Sequence, residues 1–247
     1  MRQRVVGRLK FLWFCAMSFV ATWFYFLVLL VWVNYSVWRD PASRSRATQQ
    51  VATLWARTLF RLMPGWDVTI EGADKLRQNL GRGVIVVANH QSYADIPVAY
   101  FLPMTFRWLS KAEVFRVPLV GTGMRWAGCV PVKRGNRMSQ GEAFKACEEA
   151  LAQGDSVWFF PEGTRTPDGH IQSFRPGAFR LSQQTGAPIL PIVLWGTREF
   201  NPKGTLSIGS GMARLMVLDP VLSEAGETAE AFTSRVREMM VRVYQAG

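Results

Sequence analysis

The sequence is short of the residues that several common chemistries need. Its 247 residues include 3 cysteines and 2 histidines. An odd and low cysteine count excludes a disulfide-stapled secreted scaffold. His90, His170 and the scattered cysteines offer no zinc-ligand spacing, so no metal is expected. There is no G-x-S-x-G nucleophile elbow, no G-x-x-x-x-G-K-[ST] phosphate loop and no G-x-G-x-x-G fingerprint. Charged residues make up only 19% against 49% hydrophobic, which excludes intrinsic disorder. Acids are scarcest at the front of the chain. Residues 1–66 hold nine Lys and Arg (Arg2, Arg4, Arg8, Lys10, Arg39, Arg44, Arg46, Arg57, Arg61) but one acid, Asp40. Most of the net charge of +11 therefore belongs to that quarter, and the rest of the chain is near balance.

What that quarter does have is an uncharged run, Phe11 to Val33, of 23 residues. As a helix it is about 35 Å long, enough to cross the hydrocarbon core of a bilayer. Trp13, Trp23, Trp32, Tyr35 and Trp38 supply rings suited to the membrane interface. A signal peptide fits poorly, because the run is too long and lacks a cleavage site. A buried core helix is the other alternative. In residues 45–63, Val51, Leu54, Trp55, Thr58, Leu59 and Leu62 recur at helical steps, with Arg57 and Arg61 on the polar side. This is either a basic amphipathic helix in the headgroup layer or a surface helix packed on the domain. Positive charge flanking an apolar helix suits lipid headgroups rather than nucleic acid, so no nucleic-acid partner is expected. Arg and Lys are dense on both flanks, so orientation is not readable from charge.

Pro64-Gly65 closes this region, dividing the chain into an expected membrane-associated two-helix segment, 1–64, and a globular domain, 65–247. Beyond it, strands are expected at Asp67–Ile70, Val84–Ala88, Phe106–Leu109, Cys129–Val132, Val157–Phe160, Ile189–Leu194 and Arg214–Leu218. Helices are expected at Ala94–Phe101, Met138–Gln153, Gly177–Thr185 and Thr228–Gln245. Several strands are apolar on both faces, as in sheets covered on both sides. The fold expected is α/β, with a mixed, largely parallel sheet flanked by helices and an N-terminal membrane-associated helix pair. Cys129 and Cys147 read as core residues.

Two clusters could carry chemistry. Asn89-His90-Gln91-Ser92-Tyr93-Ala94-Asp95 follows the second strand. A continuous helix would hold His90 and Asp95 about 140° apart, but a turn leading into a helix can bring them together. The carboxylate would then fix the imidazole tautomer for proton transfer. The bland alternative is a His at a strand end and an Asp capping a helix. The second cluster, Phe160-Pro161-Glu162-Gly163-Thr164-Arg165, continues through Pro167-Asp168-Gly169. It offers a glycine for close backbone approach and a guanidinium fork for phosphate oxygens, or else a turn with a surface Arg. Lys111 and Arg134 are further candidate anion ligands.

Together these segments resemble the glycerolipid acyltransferase family, in particular its bacterial 1-acyl-glycerol-3-phosphate acyltransferases. The blocks NHQSYAD, SKAEVFRVPLVGTGMRWAGCVPVKRG, FPEGTR with SFRPGA, and APILPIV occur in the family's order. The resemblance implies acyl transfer from acyl-CoA or acyl-carrier protein to the 2-hydroxyl of lysophosphatidate, giving phosphatidate in phospholipid biosynthesis. It implies His90 as general base with Asp95 as partner. Glu162, Gly163, Thr164, Arg165, Lys111 and Arg134 would bind substrate, with Arg165 on the phosphate. It implies no metal and no cofactor beyond the thioester co-substrate. It places the enzyme on the inner membrane with its catalytic domain toward the cytoplasm. In small bacterial members the helix pair can lie in one leaflet. Val132-Lys133-Arg134 departs from the Ile-Asp-Arg often found there, so Lys133 receives no role. The same chemistry on another acceptor (a lysophospholipid, glycerol 3-phosphate or an aminolipid) is the alternative.

Overall fold

In the computed structural model, which describes residues 2–63, 65–77, 82–166, 168–200 and 208–247, the elements run in the following order. Helices α1 (Arg2–Arg39) and α2 (Arg44–Leu62) come first, then β1 (Trp66–Glu71), α3 (Ala73–Arg77), β2 (Ile85–Ala88) and α4 (Asp95–Ala99). Next are β3 (Phe106–Lys111), α5 (Val120–Trp126), β4 (Val130–Val132), α6 (Arg137–Ala152) and β5 (Ser156–Phe159). The chain ends with α7 (Gly177–Thr185), β6 (Ile189–Trp195), α8 (Thr197–Phe200), β7 (Gly211–Val217) and α9 (Ala229–Ala246). Pro64, Pro167 and the side chains of Arg2, Arg4, Arg8 and Lys10 lie outside the described residues.

The strands form one sheet in the order β1-β7-β6-β2-β5-β3-β4. Every neighbouring pair is parallel except β6 with β7. The mixed, largely parallel sheet expected from the sequence is present. Alternation along the central strands explains why they are apolar on both faces. Val86 and Ala88 point into one core with Trp158, Leu190 and Leu215, under α2 and α4. Ile85 and Val87 point into another with Val157, Ile189, Cys147, Phe179 and Phe232, under α6, α7 and α9. Cys129 and Cys147 are buried, and burial raises their thiols to about 11 and about 12. Both therefore stay protonated and unreactive.

The N-terminal pair is a helical hairpin. α1 is longer than its apolar run, about 57 Å for its 38 residues. Tyr25 bonds Thr58 at 2.6 Å, the Trp55 indole donates to Thr22, and the Trp32 indole donates to Gln50. These pairings run antiparallel. They leave Leu12, Phe19, Trp23, Phe24, Leu27 and Val31 exposed on the other face of α1. That face recurs at helical steps and carries no charge. Residues Phe11–Arg39 are long and apolar enough to cross a membrane.

α2 is tied into the catalytic core. Its Gln49 is buried, donates to the Phe106 carbonyl and accepts from the Phe106 N–H at 3.2 Å. Phe60 stacks edge-on with Trp66, Phe101 and Phe200. Arg57 and Arg61 face solvent, on the side of α2 where the sequence puts them.

Candidate active site

Parallel pairing brings the sequence blocks to one edge of the sheet. β2, β5, β3 and β4 are consecutive neighbours. His90 follows the carboxyl end of β2, and Glu162 follows that of β5. Lys111 ends β3, and Arg134 follows β4. Ligands of parallel sheets bind beyond these carboxyl ends. The β2–β5 register sets Val87 opposite Phe159, so His90 and Glu162 each lie three residues beyond a paired position. Residues more than 70 apart in sequence thus become neighbours.

After β2 the chain turns through Ser92–Ala94 and enters α4 at Asp95. This turn closes the angular gap of a continuous helix. His90 Nδ1 lies 2.6 Å from Asp95 Oδ2. The same oxygen accepts the backbone N–H groups of Gln91 at 2.7 Å and Ser92 at 2.9 Å. Those N–H groups can only donate, so Oδ2 is an acceptor and Nδ1 carries the proton. The lone pair of the imidazole is therefore on Nε2. Asp95 is fully buried, whereas the His90 ring keeps partial exposure. Asn89 anchors the loop by exchanging two hydrogen bonds with the backbone of Leu194 on β6, at 2.9 and 2.8 Å. Gln91 reaches the Tyr244 hydroxyl of α9 at 2.7 Å. One face of the imidazole stacks on Phe160, with centroids 4.0 Å apart and planes at 15°. Phe160 in turn stacks on Trp108.

Glu162 is buried and does not line the cleft. Its Oε1 accepts the His90 N–H at 2.9 Å, and its Oε2 accepts the Gln172 N–H at 3.2 Å. The His90 carbonyl accepts from the Thr166 N–H at 2.8 Å. Burial raises the Glu162 carboxyl to about 7, against the pull of these two N–H groups. The carboxylate that the resemblance placed on substrate is instead engaged with the protein's own backbone. Gly163 has φ +72, and a Cβ there would stand 2.9 Å from Arg175 Nε. The left-handed backbone favours glycine, and a Cβ would also make the Arg175 guanidinium shift.

A cleft of about 1240 Å³ opens over this edge. Tyr25, Leu29, Val51 and Trp55 of the helical hairpin give it an apolar wall, with Ile96 and Met124. His90, Gly163, Thr164, Arg165, Lys111 and Arg134 also line it. Lys111 pairs with Glu113 at 3.6 Å, both half-exposed. The structure therefore brings together every candidate named from the sequence, with Glu162 behind the surface rather than on it. The stretch Ala187–Val193 falls largely on β6, buried on both faces, so its apolar character is explained by the core.

Of the lining residues that received no role from the sequence, Phe160, Tyr93 and Arg175 lie against the named candidates. Phe160 and Tyr93 lie inside the quoted blocks. Arg175, in SFRPGA, approaches only through the fold, its N–H bonded to the Pro161 carbonyl at 2.9 Å. An Arg beside a Pro-Gly turn next to a phosphate-suited loop was the available signal.

A family model described as Acyltransferase matches residues 67–195. The chain belongs to the acyltransferase family. A chloroplastic 1-acyl-sn-glycerol-3-phosphate acyltransferase of Arabidopsis thaliana is 33% identical over 96% of this chain and 66% of its own length. The 1-acyl-sn-glycerol-3-phosphate acyltransferase alpha of Homo sapiens is 30% identical over 95% of this chain and 84% of its own. The acyltransferase thus spans about two thirds of the plant relative. The crystal structure of the 1-acyl-sn-glycerophosphate acyltransferase from Thermotoga maritima superposes with TM-score 0.82 at 28% identity, covering 100% of this chain and 98% of that one.

Proposed function

We propose that the protein transfers a fatty acyl group from a thioester to the 2-hydroxyl of 1-acyl-glycerol-3-phosphate, forming phosphatidate. The relatives named above carry this activity in their names. The observation that carries the reading is the triple acceptance at Asp95 Oδ2, which leaves Nε2 of His90 as a base in a cleft lined by cations. Nε2 takes the proton of the acceptor hydroxyl while its oxygen attacks the thioester carbonyl. The tetrahedral intermediate then collapses and expels the thiolate. The imidazolium returns its proton to sulfur, so an ester and a free thiol result. Asp95 holds the tautomer and stabilises the imidazolium. Arg165 binds the phosphate, with Lys111 and Arg134 as further cations on the same edge.

The donor is acyl-CoA or acyl-carrier protein, and no step calls for a metal. The uncharged face of α1 meets the acyl region of the inner membrane, and the cleft meets lipid headgroups from the cytoplasmic side. The test is an acyl-transfer assay with purified protein in detergent. It compares lysophosphatidate with glycerol 3-phosphate and lysophosphatidylcholine, using each donor in turn, with and without chelator. Lysophosphatidate should be preferred and chelator should have no effect. Equal rates with lysophosphatidylcholine would sink the phosphate specificity.

A further inference from the structure

Tyr93 is 66% exposed, although it sits between Ser92 at 0% and Ala94 at 5%. The turn that joins His90 to Asp95 buries both neighbours and turns this ring outward, into the lining of the cleft. There the guanidinium of Arg165, from the loop after β5, lies over the ring with Cζ 3.6 Å from the centroid. A guanidinium over a ring face is held by the ring's quadrupole. Its N–H donors lie in its own plane, and a ring face takes up none of them in a conventional hydrogen bond. The edge of a guanidinium held in this way is the side that forks to phosphate oxygens.

We propose that Tyr93 is a positioning residue for the acceptor phosphate: its ring holds the Arg165 guanidinium at a fixed distance from His90. The proposal rests on the reading of Arg165 as the phosphate ligand. The chemistry makes the distance matter. The reacting 2-hydroxyl and the phosphate belong to one small glycerol unit, so the base and the cation must be spaced to match it. Tyr93 is three residues from His90 and in contact with Arg165, so it links the two groups directly. The ring is the working part. Its hydroxyl is not required.

The experiment measures steady-state acyl transfer by the full-length protein in detergent, varying lysophosphatidate and then the thioester donor. The exposed ring can be replaced without opening the core. Tyr93→Leu should raise the lysophosphatidate KM about three- to tenfold, the range expected for one such contact, and leave the donor KM unchanged. Tyr93→Phe, which keeps the ring, should restore the acceptor KM to within about twofold of wild type. In an Arg165→Ala background, Tyr93→Leu should add nothing further. An unchanged acceptor KM in Tyr93→Leu, beside a raised one in Arg165→Ala, overturns the proposal alone. So does an undiminished Tyr93→Leu effect in the Arg165→Ala background, since the ring would then act without the guanidinium. An unchanged acceptor KM in Arg165→Ala sinks the phosphate reading and the proposal with it.

Discussion

The Glu162 carboxylate receives the backbone N–H of His90 at 2.9 Å, so the loop after β5 holds the loop that carries the candidate base. Its second oxygen receives Gln172. A glutamine has one acceptor oxygen and must present an N–H to the other donor. Glu162→Gln should therefore lower kcat by about tenfold or more, the loss of one hydrogen bond to a charged group, with the lysophosphatidate KM nearly unchanged. Full kinetic curves for the variant check this. A rise in acceptor KM with normal kcat would return Glu162 to the substrate.

The same carboxyl makes stability depend on pH. Its folded value, about 7, lies above the ordinary 4.5 because it is buried. A raised carboxyl contributes stability that is fully present below the unfolded value and is lost as pH rises through the folded one. From pH 4.5 to 7 the contribution falls by on the order of 3 kcal/mol. Thermal melts in detergent at pH 5 and pH 8 should show this slope in the wild type. Glu162→Gln should flatten it.

His90→Ala should lose about 10²–10⁴-fold in kcat while remaining folded, the ordinary contribution of a general base. Asp95→Asn should lose activity as well, because the neutral amide, its oxygen held by the Gln91 and Ser92 N–H groups, keeps the tautomer but cannot stabilise the imidazolium. Single-turnover rates with saturating acceptor measure both. Activity like wild type in either variant would remove the pair from the chemistry.

Phe160→Leu removes the ring on which the imidazole stacks. The expected loss is about 2- to 10-fold in kcat, from one aromatic contact, with both KM values little changed. The acyl-transfer assay reads it directly. The contact is with His90 alone among the proposed reacting groups.

On α1, Trp23 and Leu27 are 46% and 56% exposed on the face that α2 does not cover. Charging both with Arg should weaken sedimentation with phospholipid vesicles by about tenfold or more, given the cost of placing Arg among acyl chains. Activity on micellar substrate should persist. Unchanged vesicle binding would show that another surface holds the membrane.

Much of this was legible because burial writes itself into composition. The central strands β2, β5 and β6 stand out as apolar runs, since both of their faces are buried in core. His90 and Asp95 were legible because the five-residue step fails on a helix and works on a turn. α5 was not among the expected helices, because Gly121 and Gly123 are poor helix formers and Pro118 precedes them, yet Val120–Trp126 is helical. α1 runs past both ends of its apolar stretch, because flanking Arg and Lys do not end a helix. The role of Glu162 could not be read from spacing. It depends on β2 and β5 being neighbours, and no local pattern encodes that adjacency.

Tyr25 and Leu29 of α1 and Val51 and Trp55 of α2 form one side of the cleft. The tether is therefore also the roof. A shortened enzyme beginning at Arg44 would gain solubility but lose the α1 share of that roof. On the proposed function, the bound acyl donor would then be less shielded from bulk solvent, and hydrolysis would compete with transfer.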